Sequence, residues 1–293
     1  MRAWLVAARP ATLLASVAPV LVGSGLAVGD GAFRWDAFVV TVVTAVLINV
    51  SANFANDASD HARGVDTADR IGPPRAVAGG LLSARQVWLG TVAVVALACA
   101  GGAYLAWISD WQILAVGVAA LLAMLAYSGG PWPYGYHGLG EVSVFAFFGL
   151  AGVVGSRFVH DSTAPASAWL LAVPVGFLVT AILVANNVRD IDTDRSSGKR
   201  TLAVVLGRPA TRVLYATLVL GSFALIAAFA AFDLTPRLTL IALTALPLAV
   251  APVRAVATQT AGPQLITALK ANTRVHLAVG VLLAAGAALG RPG

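Results

Sequence analysis

Charge is scarce in this chain of 293 residues. Asp, Glu, Lys and Arg make up 11% of it, against about 25% in an average soluble domain. Glutamate occurs once, as Glu141, and cysteine once, as Cys99. A single cysteine excludes an internal disulfide and a thiolate metal cluster. Cys99 lies midway in an apolar run and reads as a small packing residue. No stretch rich in Ser, Pro or charge divides the chain, so residues 1–293 read as one domain. His61, His137, His160 and His276 are scattered without ligand spacing, which argues against a histidine metal site. Gly129-Gly130 is not followed by Gly-Lys-Ser/Thr, so a nucleotide-binding phosphate loop is not supported.

What is abundant is apolar surface. Hydrophobic residues make up 59% of the chain and the mean hydropathy is +0.85. No soluble fold of this length can hide that fraction, so much of the solvent must be lipid. A helix needs about 20 mostly apolar residues to cross the hydrocarbon core. Nine segments qualify, near 11–28, 37–56, 87–107, 111–128, 139–157, 168–189, 212–231, 238–255 and 274–290. The expected fold is all-α: nine transmembrane helices around a central cavity. Arg2 and the run Leu13 to Val28 mimic a secretory leader. Arg9-Pro10 interrupts that pattern and the rest is equally apolar, so this run reads as the first span.

The formal net charge of +6 invites a nucleic-acid reading, but the basic residues sit in short loops between apolar runs. Nine spans put 15 of the 19 Lys and Arg on one side, leaving Arg34, Arg157, Arg237 and Arg291 on the other. By the positive-inside rule the first side, with the N-terminus, is cytoplasmic.

The acidic residues cluster more tightly still. The first cluster reads Asn53-x2-Asn56-Asp57-x2-Asp60-x2-Arg63-Gly64-x-Asp66. On a helix, positions 53, 56, 57 and 60 form one polar stripe. The second reads Asn186-Asn187-x-Arg189-Asp190-x-Asp192-x-Asp194-x3-Gly198-Lys199. Asn186, Asp190 and Asp194 share a face, and Asp192 points elsewhere. The two segments resemble each other and recur four spans apart, as in an internal repeat facing one cavity. Carboxylates on one helix face repel unless a cation joins them. Mg²⁺ suits such a site, because it is held by one or two carboxylates plus substrate phosphates. Asp57, Asp60, Asp190 and Asp194 are the expected ligands and catalytic acids, assisted by Asn53 and Asn186. Arg70, Arg75 and Lys199 follow the motifs closely and are expected on a diphosphate. Arg63, beside Gly64, serves loop structure equally well.

These motifs resemble those of the UbiA superfamily of intramembrane aromatic prenyltransferases. The likeness extends through Arg9-Pro10-Ala11-Thr12-Leu13, Pro19-Val20-Leu21-Val22-Gly23 and Asp69-Arg70-Ile71-Gly72-Pro73-Pro74-Arg75. It continues through Gly79-Gly80-Leu81, Tyr127-Ser128-Gly129-Gly130-Pro131, Tyr134-Gly135-Tyr136, Gly138-Leu139-Gly140-Glu141 and Gly198 to Val204. Within the family it resembles the 1,4-dihydroxy-2-naphthoate polyprenyltransferases of the MenA type. Val205 departs from the pattern, standing where relatives often carry a basic residue.

The resemblance implies Mg²⁺-assisted ionisation of a polyprenyl diphosphate and attack by the dihydroxynaphthoate ring. The carboxylate leaves as CO₂ and the product is demethylmenaquinol. It also implies a bacterial plasma membrane, with no required protein partner and no nucleic acid. A 4-hydroxybenzoate or other phenolic acceptor is the alternative within the family. The Asp-Gly-x2-Ala-Arg signature of CDP-alcohol phosphotransferases is absent. A cation transporter would hold its carboxylates near the bilayer midplane, not at one face. Glu141 reads either as an interfacial residue pairing with a loop arginine or as a lining of the acceptor end. Tyr127, Tyr134 and Tyr136 offer π faces to an allylic cation or belong to an interfacial aromatic belt.

Overall fold

A computed structural model describes residues 1–66, 72, 74–260 and 262–290, and all regular structure in them is helical. A short helix α1 (Arg2–Ala8) precedes α2 (Pro10–Gly29), α3 (Trp35–Ala62), α4 (Ala84–Ile108) and α5 (Gln112–Ser128). A 3₁₀ turn over Tyr134–His137 leads into α6 (Gly140–Val144), which runs through a π-helical stretch, Phe145–Ala151, into α7 (Gly152–Asp161). Then come α8 (Ala166–Ser196), α9 (Leu202–Ala231), a 3₁₀ segment Arg237–Ala245 with α10 (Leu246–Thr258), and α11 (Gly262–Leu289).

Eight of these stretches are long and apolar enough to span a bilayer, and α5, at 17 residues, is a shorter ninth. The expected architecture is therefore present, with three changes of detail. The fifth span is not one regular helix but α6, the π stretch and α7, and it reaches Asp161. The eighth is 3₁₀ over its first half. The second and sixth run on past their apolar residues, so both acidic motifs lie on helix, at the ends of α3 and α8.

Neighbouring spans pack as α3 on α4 and α8 on α9, and α11 closes the bundle against α2 and α8. The largest core cluster joins α2 and α7 to α8–α11 through residues such as Val22, Leu171, Leu178, Tyr215, Ile226 and Leu283. Lipid offers no hydrophobic drive between helices, so contact depends on close packing of small residues. A Cβ at Gly25 would lie 2.5 Å from the Ala284 carbonyl oxygen, and one at Gly29 2.3 Å from that of Ala287. Glycine there lets α2 touch the α11 backbone. Large apolar side chains of α4 and α5, among them Leu89, Val92, Leu97, Val118 and Leu122, are exposed, as a lipid-facing surface requires.

Candidate active site at the ends of α3 and α8

The stripe on the last two turns of α3 is buried although it is polar. Asn53, Asp57 and Asp60 all lie in the buried class. Each has found a partner. Asn53 Nδ2 donates to the Ala8 carbonyl (2.9 Å) and to Thr12 Oγ1 (3.2 Å), tying α3 to the α1–α2 junction. Asp57 accepts the backbone amides of Ala76 (2.9 Å) and Val77 (3.0 Å), one on each carboxylate oxygen. Asp57 therefore fixes the segment that carries Arg75. Asp60 accepts from Arg75 (2.6 Å) and from the Tyr136 hydroxyl, and Lys199 Nζ lies 3.7 Å away. Burial, and next the Asp60 charge, hold the Tyr136 phenol well above its usual range, so it stays a donor. Arg75 also meets Asp66 (3.1 Å), while its third nitrogen, Nη1, is buried without a hydrogen-bond partner among the described residues. Arg70 lies outside the described residues.

The second motif continues α8 without a break to Ser196. Arg189 pairs with Asp190 and donates to Asn186 Oδ1 (2.7 Å). Asp194 has a long contact from Thr201 Oγ1 at 3.5 Å and lies within electrostatic range of Lys199, Asp190 and Asp60. Asp192 leaves this cluster: its side chain is 77% exposed and pairs with Arg208 at 2.9 Å. Helical spacing alone had placed it on that other face.

The central loop joins the two motifs. Tyr136 donates to Asp60 through its hydroxyl and accepts the Arg200 amide at its carbonyl (2.8 Å). The Lys199 ammonium stands 4.5 Å from the centre of the Tyr136 ring. Tyr127 lies edge-on to Tyr134, within electrostatic range of Glu141, Asp60 and Asp194. Tyr134 bonds Ser143 (2.7 Å). Among the described residues Glu141 pairs with no loop arginine; it is buried and accepts from Asn187 Nδ2 (2.8 Å). Arg63 donates to the carbonyls of Ser128 and Gly130, so it holds the start of the central loop.

Deeper in the bundle an apolar cavity of about 230 Å³ lies between α2, α3, α4, α5 and the π stretch with α7. Its near end, at Ser16 and Ile48, lies beneath the site: Asn49, one turn below Asn53, donates to the Thr12 carbonyl and approaches Ser16 Oγ at 3.4 Å. Phe147, Phe148 and Ala151 of the π stretch line it. Gly149 explains how that stretch is held, since a Cβ there would lie 2.6 Å from Gly176 Cα of α8. Cys99 also lines the cavity and is exposed, so it is not the packing residue its apolar neighbours suggest.

The model of the UbiA prenyltransferase family matches residues 16–273. This chain belongs to that family. The 1,4-dihydroxy-2-naphthoate octaprenyltransferase of Mycobacterium tuberculosis is 37% identical over 284 residues, covering 97% of this chain and 96% of the relative. The protein of the same name from Escherichia coli is 36% identical over 259 residues, 86% of this chain and 84% of its own. A solved structure of a UbiA homolog from Archaeoglobus fulgidus, bound to GPP and Mg²⁺, shares the fold. Its TM-score is 0.68 at 17% identity, over 96% of this chain and 99% of that one.

Lys199 and Tyr136 bring the two motifs together at Asp60, and the geometry gives partners to residues that spacing had left without a role. Asn56 lies on the same stripe, and its Oδ1 accepts from Ser128 at the end of α5 (2.8 Å). Asn187 turns to Glu141, and Arg189 is buried against Asp190. Their signal in the sequence was position: both follow Asn186 within an otherwise apolar span, where polar groups are costly.

Proposed function

We propose that this chain is a Mg²⁺-dependent aromatic prenyltransferase. It moves a polyprenyl group from the diphosphate to 1,4-dihydroxy-2-naphthoate, with loss of diphosphate and CO₂. The product is demethylmenaquinol, oxidised to demethylmenaquinone in menaquinone biosynthesis. The observation that carries this reading is the alignment, nearly end to end, with relatives named for that acceptor. The buried acidic site above an apolar cavity supports it independently.

The polar end of the donor belongs at the acidic motifs. Among the described residues no three His, Cys, Asp or Glu are gathered around one ion position. The oxygens of Asp60 and Asp190 instead face Arg75 and Arg189. The donor set nevertheless fits Mg²⁺: it is all oxygen, and Asp194 lies within electrostatic range of both Asp60 and Asp190. Asp60, Asp190 and Asp194 would hold the ions, assisted by the amide oxygens beside them. Ions bound there would stabilise the charge of the departing diphosphate. Asp57 keeps a lone pair on each oxygen while anchoring Ala76 and Val77.

The chain's own cations complete the site. Arg75 and Lys199 already lie on Asp60, and Nη1 of Arg75 is a buried donor without a partner among the described residues. Such a donor is costly unless an acceptor arrives. A diphosphate oxygen is that acceptor, and its arrival draws the guanidinium from carboxylate to phosphate. Tyr127 and Tyr136, both within reach of Asp60, would offer their rings to the allylic cation. Glu141 and Asn187 offer the aromatic acceptor a paired acid and amide in a buried setting. The cavity below takes the isoprenoid tail and excludes water from the allylic cation.

The ends of α3 and α8 share their face with most of the basic residues, so the site faces the cytoplasm of a bacterial plasma membrane. The test is direct. Purified protein with dihydroxynaphthoate, a polyprenyl diphosphate and Mg²⁺ yields prenylated naphthol, identified by mass, and none after chelation. Transfer to 4-hydroxybenzoate in preference to dihydroxynaphthoate would overturn the acceptor assignment. No transfer to either would overturn the enzyme reading.

A further inference from the structure

Several helix glycines here mark places where two backbones touch, as at Gly23, Gly25, Gly29, Gly149 and Gly280, where a Cβ would collide with a neighbour. Three in regular α-helix differ. Around Gly102, Gly117 and Gly155 a Cβ would meet nothing within 4 Å, and all three line the apolar cavity. They belong to three different helices: α4, α5 and α7. Glycine weakens a helix interior, and here no close approach of another helix accounts for it. What the three positions share is the open space in front of them.

They also share a depth. Gly102 lies six residues before Ile108 at the end of α4, Gly117 five after Gln112 at the start of α5, and Gly155 six before Asp161 at the end of α7. At 1.5 Å per residue each is about 8–9 Å from the end of its helix remote from the acidic motifs. Gly117 is eleven residues, or roughly 16 Å, from Ser128, which bonds Asn56 of the first motif. The cavity at this level has an exposed flank, formed by Cys99 and by Leu114, Val116 and Val118. Below it, Leu105 and Val159 pack with Ala37.

We propose that Gly102, Gly117 and Gly155 form a selectivity ring that admits long isoprenoid tails. This rests on the prenyltransferase reading. Seen from the acidic site, a five-carbon tail ends well short of the ring. A polyprenyl tail has to pass through it, towards the lipid-facing flank on α5. Side chains at the three positions would fill the passage without touching the diphosphate or the acceptor. The ring thus sets which donors fit and leaves the chemical step alone.

The experiment compares the wild type with Gly117→Leu, Gly155→Leu and the pair, in detergent or vesicles, using dimethylallyl and octaprenyl diphosphates. Leucine strengthens a helix relative to glycine, and Gly117→Ala and Gly155→Ala serve as milder controls. The expected result is a fall of at least tenfold in kcat/KM for the octaprenyl donor against the dimethylallyl donor. The pair should lose more than either single variant. A second readout needs no turnover. Cys99, the sole cysteine and one turn from Gly102, is alkylated with N-ethylmaleimide. In the wild type octaprenyl diphosphate protects it and dimethylallyl diphosphate does not; in the leucine pair neither protects. An unchanged donor ratio, or the same protection by octaprenyl diphosphate in the leucine pair as in the wild type, overturns the ring. A wild type that transfers no prenyl group, yet shows this protection and its loss in the pair, sinks the enzymatic reading and leaves the ring standing.

Discussion

At the end of α7, remote from the acidic motifs, Arg157 is buried, with Nε on Asp30 (2.9 Å) and Nη1 on Asp161 (2.7 Å). Its Nη2 reaches both acids. His160 next to it uses both ring nitrogens, accepting the Arg34 amide at Nδ1 and meeting Ser24 at Nε2. Arg34 and Tyr104 share Asp36. At the other end, the Arg75 side chain is 9% exposed, and among the described residues its buried Nη1 has no partner and Asp194 has a long contact from Thr201. Both ends bury charge. One is closed on itself, and the other has donors and acceptors left over. Buried polar groups are normally satisfied, so the unsatisfied end fits the proposed ligand site and the satisfied end fastens the helices.

The comparison breaks most sharply at the acids of the two motifs. Asp60→Ala and Asp190→Ala should each reduce turnover by about 10²- to 10³-fold, the scale of losing one electrostatic stabiliser of a transition state. Each change also strands an enclosed arginine, so turnover is compared per folded molecule, and raised Mg²⁺ should restore part of the rate. Turnover within a few-fold of wild type would remove that acid from the site.

Arg157→Ala should do the reverse. It strands Asp30 and Asp161, whose side chains are 30% and 32% exposed. Partial exposure puts the cost near the low end for a broken buried pair, about 3 kcal/mol. The measurement is thermal unfolding in detergent beside kcat per folded molecule. A lower Tm with unchanged kcat is expected. A lost kcat at full stability would make the remote cluster part of the chemistry.

Arg75→Gln should have a smaller effect and a different signature. It removes a guanidinium from the proposed diphosphate contact but leaves the acids, so the donor KM should rise about tenfold, close to one charged hydrogen bond. The acceptor KM should hold. Lys199→Gln should do the same more weakly, because its ammonium is 3.7 Å from Asp60. Donor kinetics untouched in both variants would take them off the diphosphate.

What could be read from sequence follows from what lipid and helix geometry demand. Spans are legible because a bilayer requires about 20 apolar residues, and a polar stripe is legible because three- and four-residue spacing repeats on a helix face. The remote cluster was not legible. Arg157 and Asp30 are 127 residues apart, and each looks like an isolated loop charge. Asp57 looked like any other acid on the stripe because its partners are the amides of Ala76 and Val77; backbone groups leave no mark in a sequence. The π stretch was hidden for a similar reason: Phe145–Ala151 is as apolar as its flanks, and its geometry arises in packing against Gly176. The cavity glycines looked no different from the packing glycines until the space around each was known.

The smallest expected effect is also the most discriminating for the second motif. Asp190, Asp192 and Asp194 alternate along α8, and composition alone ranks them equally. If α8 is regular through Ser196, as its hydrogen bonding describes, Asp192 is turned roughly 200° from either neighbour. Its carboxylate then faces solvent beside Arg208, which also holds the Val188 carbonyl at 2.9 Å and so remains anchored without it. An exposed ion pair of this kind contributes about 0–1 kcal/mol. Asp192→Ala should therefore change kcat and donor KM by less than about twofold, with Tm nearly unmoved, while Asp190→Ala and Asp194→Ala lose most activity. Assays of all three over one Mg²⁺ titration decide the matter. If Asp192→Ala were as inactive as Asp190→Ala, the last turns of α8 would have to unwind when the donor binds, bringing all three acids to one side. The satisfied pairing with Arg208 would then belong to the working end of the molecule after all.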